Sequence, residues 1–247
     1  MNSILITGCN RGLGLGIVKE LLLLPNVPKY IFATCRDQSK AKELQELAAK
    51  HSNIYILEID LLKYSDYANL VQKVDEITKG EGLNVLFNNA GIAKWERSID
   101  DIEAENLLSI YETNSVAPLL LAKAFVPLLK KASKANEKKP MGLERAAILN
   151  MSSRVGSIDD NTSGGLYSYR MSKAALNMAT KSLSINLKEE KILCVTLHPG
   201  WVQTDMGGAN APLDVETSTK LLVQNVISFN EKHNGEFYQY DGKQLPW

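Results

Sequence analysis

The chain has little of what several function classes require. Its three cysteines, Cys9, Cys35 and Cys194, lie far apart among 247 residues. They form no C-x-x-C pair and cannot all be matched in disulfides, so they read as reduced thiols. The three histidines, His51, His198 and His233, show neither H-E-x-x-H nor any other ligand spacing, and no metal site is expected. Net charge is absent too: 28 Lys+Arg balance 28 Asp+Glu. Without an overall basic field, neither nucleic acid nor an anionic membrane is an expected partner. Long apolar runs are missing as well. Stretches such as Leu21–Leu24 and Val116–Ala122 fall well short of the roughly 18 residues a membrane span needs. The first residues are apolar, with no basic leader and no cleavage-like site, so cytoplasmic residence is the default expectation. A small molecule, recognised locally, is the expected ligand.

What is present is ordinary globular material, 45% hydrophobic and 23% charged, enough to bury a full core. One α/β domain can run to about 250 residues, and no repeat or linker interrupts the chain, so residues 1–247 are expected to form a single domain. Short aliphatic or β-branched runs alternate with segments of helical apolar spacing, the pattern of parallel βαβ units. Strands are predicted at Ser3–Thr7, Tyr30–Thr34, Asn53–Glu58, Val85–Asn88, Ala146–Met151, Leu193–Leu197 and Glu236–Tyr240. Helices are predicted at Leu13–Leu24, Ser39–His51, Tyr64–Thr78, Ala104–Ala132, Tyr167–Lys188 and Ser218–Asn230. Right-handed crossovers then give a doubly wound Rossmann fold: a single seven-stranded parallel sheet with helices on both faces. Ser133–Arg145, with its lysines and a Pro-Met-Gly break, reads as a solvated surface loop.

Thr7-Gly8-Cys9-Asn10-Arg11-Gly12-Leu13-Gly14 follows the first predicted strand and opens the first helix. In that context a glycine-rich turn signals dinucleotide binding. The chain must turn sharply off the strand, a Cβ would block approach to a pyrophosphate, and the helix start must offer free N–H groups to an anion. Gly8, Asn10, Arg11, Gly12, Leu13 and Gly14 are therefore candidate cofactor ligands. The second strand ends Ala33-Thr34-Cys35-Arg36-Asp37. With Cys35 at the ribose position, no carboxylate repels a 2′-phosphate, and Arg36 and Arg11 can approach it, which favours NADP(H). A register two residues later would make Asp37 a ribose ligand and favour NAD.

Tyr169 and Lys173 are four apart in a helical segment, so their side chains share one face. An ammonium near a phenol is expected to lower the phenol's pKa from its ordinary value of about 10 and ready it for proton exchange. Tyr167 has Met171 at the same spacing, which supplies no charge.

The wider spacing G-x-x-x-G-x-G, with Asp60, Asn88-Asn89-Ala90-Gly91, Asn114, Ser153, Tyr169-x-x-x-Lys173 and Pro199-Gly200 in that order, resembles the short-chain dehydrogenase/reductase family over essentially the whole chain. The resemblance implies that Ser153 bonds a substrate carbonyl oxygen, that Lys173 also holds the nicotinamide ribose, and that Asn114 orders a proton-relaying water. Ser153, not its neighbour Ser152, matches the family pattern. It places Asp60 and Leu61 near the adenine, although an aspartate after a strand also caps turns. It places Asn89, Ala90 and Gly91 along the cofactor ribose, and Pro199, Gly200, Val202 and Thr204 at the carboxamide. Met206-Gly207-Gly208-Ala209 has the small residues of a hinged lid. Trp95, Val155, Trp201 and Met206 fit either an apolar substrate pocket or core packing. Three functions follow: NADPH-dependent reduction of aldehyde or ketone carbonyls, NAD-dependent oxidation of an alcohol or steroid, or non-catalytic dinucleotide sensing. The family resemblance implies a homo-oligomer, dimer or tetramer, through the Asn114-bearing helix and its neighbour.

Overall fold

A computed structural model describes residues 1–247. Seven short runs, most of them buried along their whole length, form one sheet: β1 (Ser3–Ile6), β2 (Tyr30–Cys35), β3 (Ile54–Glu58), β4 (Val85–Asn88), β5 (Ala147–Met151), β6 (Leu193–His198) and β7 (Phe237–Gln239). Every neighbouring pair is parallel, in the order β3-β2-β1-β4-β5-β6-β7. Strands covered on both faces need apolar residues at every position, which is why they read as continuous rather than alternating runs.

Helices α1 (Gly12–Leu22), α2 (Lys42–Lys50) and α7 (Val215–Val226) cover one face, with Ile17, Val18, Leu44, Leu222 and Val223 in the same apolar cluster as Ile4, Ile31, Val85 and Leu149. On the other face lie α3 (Tyr67–Ile77) and α5 (Ala117–Ala135), whose Leu70, Val74, Leu121 and Phe125 pack on Leu5, Phe32, Leu86 and Ile148. Helix α4 (Ala104–Tyr111) precedes α5, and α6 (Tyr167–Asn186) lies beside them. The strand order reverses between β1 and β4, and the carboxyl ends of β1, β4, β5 and β6 open on the same edge. That edge is where such sheets bind ligands.

The expected helix at Ala104–Ala132 is continuous in space but not in winding. Glu112–Val116 forms one π turn between α4 and α5, inserting an extra residue beneath Asn114, the sort of local widening that recurs at functional sites. The last helix begins at Val215, three residues before the predicted start, because Asp214 accepts a hydrogen bond from Thr217 N and caps it. Ser133–Arg145 departs further from expectation. Helix α5 runs on to Ala135, and Ser133, Met141 and Leu143 are buried. Arg145 ties the segment down through Ser133 Oγ (2.9 Å) and the carbonyls of Glu137 and Lys139 (3.2 Å each). The lysine density predicted a solvated loop, but two apolar side chains dock into the core at the start of the strands.

Candidate active site

The turn after β1 depends on two glycines. Gly8 has φ +73°, and a Cβ on Gly14 would stand 2.1 Å from Gly8 O, so only glycine lets the first turn of α1 close against the loop. Thr7 holds the turn to the loop after β4: its Oγ1 accepts from Asn89 N and Ala90 N (3.0 Å each), while Asn89 Nδ2 donates to Thr7 O (2.9 Å). Thr7 belongs to the motif, and its hydroxyl joins the two loops. Asn10, Gly12 and Leu13 complete the turn and open α1.

Arg11 and Arg36 are both exposed. Arg11 pairs with Asp205, 194 residues away, across the mouth of the cleft. Arg36 has no carboxylate partner among the ion pairs of the molecule. Asp37 is occupied: it accepts from Ser39 N (3.0 Å) and Ser39 Oγ (2.6 Å) and pairs with Lys40, and Ser39 and Lys40 hold its carboxyl below the ordinary carboxylate range. Asp60 Oδ1 accepts from Leu62 N (3.1 Å), and Tyr67 Oη donates to Leu61 O (2.6 Å), so that turn is capped and anchored.

Three elements bring the expected catalytic side chains together. Asn114, in the π turn, donates to Ile92 O (2.8 Å) and Ser172 Oγ (3.0 Å) and accepts from Ile92 N (2.9 Å). Both amide protons are spent, leaving one lone pair on Oδ1. A Cβ built on Gly91 would lie 3.1 Å from Asn114 Oδ1 and 3.5 Å from Lys173 Nζ, so both groups border the same point. Lys173 is buried and donates to Met151 O at the end of β5 (2.8 Å). Its Nζ lies 5.6 Å from the centre of the Tyr169 ring. Ser152 turns away to bond Asn177 Oδ1 (2.6 Å), whereas Ser153 is close enough to Tyr169 to draw its phenol's pKa downward.

The electrostatics differ from the expectation. Burial pushes the Tyr169 phenol up to about 12, with Ser153 pulling the other way, and burial pushes the Lys173 amine down to about 8. Desolvation penalises whichever form is charged, and it outweighs the acidifying effect expected of the ammonium. At neutral pH the phenol keeps its proton and most of the amine is charged.

On the fourth side, Pro199 O accepts from Ser218 Oγ (2.6 Å), and Gly200 leads into a loop fastened by its own bonds. Trp201 Nε1 donates to Gly207 O (2.8 Å), Thr204 Oγ1 accepts from Gly207 N (3.1 Å), and Gln203 Nε2 donates to Ala211 O (2.9 Å). The Met206–Ala209 stretch is thus bonded back on Trp201 and Thr204, and Val202 is buried beneath it. Trp95 and Trp201 are more than half exposed, so neither is core packing. A separate concavity of about 470 Å³, lined by residues including Met141, Arg145 and Lys191, lies at the opposite end of the strands and contains none of the expected site residues.

The short chain dehydrogenase family model matches residues 2–212. The chain belongs to that family. Among solved structures it is similar to the carbonyl reductase Sniffer of D. melanogaster, at 60% identity and TM-score 0.99 over the whole of both chains. It is also similar to the NADPH-bound carbonyl reductase from chicken fatty liver, at 43% identity and TM-score 0.94, covering 100% of this chain and 99% of that one. The C-signal of Myxococcus xanthus is 39% identical over 165 residues, which is 67% of this chain and 93% of that protein. Within the short chain dehydrogenases, the phosphate turn and the Tyr-x-x-x-Lys pair were legible in the sequence. Met151 O, the acceptor for Lys173, and Asp205, the partner of Arg11, carried no sequence signal.

Lys173 yields a pH prediction. Between about 8 and 10.5 the unfolded lysine still binds a proton that the folded one has lost, so its contribution to stability rises with pH across that window. The difference in unfolding free energy between wild type and Lys173→Met should therefore shift in favour of wild type from about pH 8 to 10.5, as urea titrations of the unliganded chain would show. A difference independent of pH there would mean that the amine is not desolvated.

Proposed function

We propose that the chain is a cytoplasmic, NADPH-dependent carbonyl reductase that converts aldehydes or ketones to alcohols, with residues 1–247 forming one domain. The observation that carries the reading is the convergence of Ser153, Tyr169 and Lys173 at the sheet edge that also holds the glycine turn. The likeness to two carbonyl reductases, one of them NADPH-bound, supports it. Three buried free cysteines are consistent with a reducing compartment.

The residues fit a dinucleotide. A Cβ on Gly12 would meet nothing closer than the Thr204 methyl, 3.6 Å away, which leaves room at the start of α1, where unpaired N–H groups favour a pyrophosphate. Arg36, exposed and unpaired, is placed to fork onto a 2′-phosphate, and Arg11 joins it by exchanging Asp205 for that phosphate. Asp37 is committed to Ser39 and Lys40, which counts against the NAD-preferring register. Asp60 and Leu61 border the adenine, Asn89, Ala90 and Gly91 the ribose, and Pro199, Gly200, Val202 and Thr204 the carboxamide. When bound, the reduced nicotinamide supplies a hydride to the carbonyl carbon.

The chain's own groups handle the oxygen. Ser153 Oγ and Tyr169 Oη donate hydrogen bonds to it and stabilise the negative charge that develops there. Tyr169 Oη then gives up its proton, acting as a general acid. A phenol raised to about 12 is fully protonated at neutral pH, the state that reduction requires. The Lys173 ammonium, close to the ring, offsets the charge left on the phenol oxygen and holds the nicotinamide ribose. Asn114, clamped on Ile92 and Ser172, offers its remaining lone pair to a water that returns a proton through Lys173. A non-catalytic sensor would not need these four groups to meet.

Outside the cleft, Leu108, Tyr111 and Leu119 on α4 and α5, and Met171, Met178 and Ile185 on α6, are exposed. On α6 they recur every seven residues along one face. We assign this surface to a homo-oligomer contact.

Tyr169→Phe should lower carbonyl reduction by about 100-fold or more while NADPH binding, followed by nucleotide fluorescence, stays near wild type; full residual turnover would remove the phenol from the mechanism. Arg36→Asp should reverse the preference between NADPH and NADH in steady-state assays, and a variant still favouring NADPH would refute the phosphate contact. Sedimentation should give at least the mass of a dimer, reduced to monomer by Met178→Lys; a monomeric wild type would dismiss the contact.

A further inference from the structure

Helix α6 carries Tyr169 in its first turn, where a helix is held least well, because its first N–H groups have no partners within the helix. It lacks the usual remedies. Its N-cap residue, Leu166, makes no side-chain cap and sits at φ +52°, and no acidic residue occupies the first turn. The missing acceptor comes from 72 residues away. Glu96, 1% exposed, accepts from Ser168 N through Oε2 (2.8 Å), and its backbone carbonyl accepts from Leu166 N (2.8 Å).

Burying a carboxylate is costly unless it is well paired, and this one has no cation. Its other oxygen, Oε1, is buried without any partner, as is Ser168 Oγ. What offsets the cost is the helix end itself, whose N–H group and partial positive charge favour an anion.

Glu96 lies in the connection between β4 and α4. Around it the connection bonds mostly to itself, with Arg97 N and Ser98 N donating to Asp101 Oδ2. Beyond the bonds of Asn89 and Ala90 to Thr7, it reaches the rest of the site at two points: Ile92, clamped by Asn114, and Glu96, on the amide beside Tyr169.

We infer that Glu96 is a positioning residue: a cap supplied from a distant loop that fixes the first turn of α6 and so aims the Tyr169 hydroxyl. The inference rests on the carbonyl-reductase reading for its kinetic consequence but not for its structural one. Tyr169 is adjacent to the capped residue, so loosening that turn displaces the phenol without touching the glycine cradle.

Two variants of the full chain test this. Glu96→Met keeps the volume and removes the acceptor, with Glu96→Ala as a second acceptor-free variant should the first not fold; Glu96→Gln keeps an acceptor oxygen. Without the acceptor, kcat should fall about 10- to 100-fold while the dissociation constant for NADPH changes by less than about twofold, and Glu96→Gln should recover most of the loss. Hydrogen exchange at the Ser168 amide should quicken in the acceptor-free variants and stay slow in Glu96→Gln. Wild-type kcat without the acceptor would overturn the inference. So would a parallel fall in kcat and NADPH affinity, or a Glu96→Gln variant as impaired as Glu96→Met. If the parent chain reduces no carbonyl compound with NADPH, the reductase reading fails by itself. The exchange measurement then decides the cap alone, quickened exchange supporting it and unchanged exchange rejecting it.

Discussion

An amine kept from water beside a phenol, with one main-chain carbonyl as its hydrogen-bond partner, is the constraint around which the site is organised. Lys173 is buried, and its amine's only hydrogen bond goes to Met151 O, the last residue of β5. That bond makes the end of a central strand part of the candidate site's geometry. The strand cannot shift relative to α6 without stranding a charge in a dry place, a far larger penalty than losing an exposed ion pair. The registry between sheet and helix is therefore enforced by the group that needs it.

A second polar layer lies beneath. Asn88 donates to Asn150 across the β4–β5 pair (2.8 Å), Asn150 donates to Thr180 on α6 (2.8 Å), and Ser152 bonds Asn177 one turn away (2.6 Å). Apolar packing alone holds a helix against a sheet but tolerates sliding. Directional bonds between fully buried partners do not, because each slip leaves a donor unsatisfied. Above this layer the backbone does the remaining work, with Thr7 joining the turn after β1 to the turn after β4.

The fold was legible because its strands are short apolar runs with both faces covered, and nothing else in the chain imitates them for long. The cofactor turn and the Tyr169–Lys173 pair were legible because each is local: strand, turn and helix in eight residues, or two side chains four apart. What escaped was everything set by distant partners or by averaging. Lysine density around 133–145 concealed Met141 and Leu143, since composition over a window says nothing about which two side chains dock. The π turn at Glu112–Val116 escaped because one extra residue hardly disturbs an apolar periodicity. The earlier start of α7 was visible in principle, as Asp214 precedes it with the character of a cap. The partnership of Glu96 with Ser168 was not, because no local pattern predicts which loop will lie across a helix end.

The direction of the pKa shifts follows from the same distinction. Spacing reports that two groups can meet; it does not report how dry the meeting place is. A neighbouring ammonium favours phenolate by a Coulomb interaction that weakens with distance, whereas desolvation acts on both groups at once and drives each toward neutrality. Here the second effect wins, leaving the phenol protonated and the amine, still mostly charged at neutral pH, easier to deprotonate than in water. On the proposed mechanism, carbonyl reduction needs a proton on Tyr169 at the outset and a positive charge nearby only afterwards, when the proton has left. A site in which burial sets the resting state and the lysine acts on the product of proton transfer meets both needs. On the proposed mechanism alcohol oxidation would begin from phenolate, so the two directions would depend on pH differently.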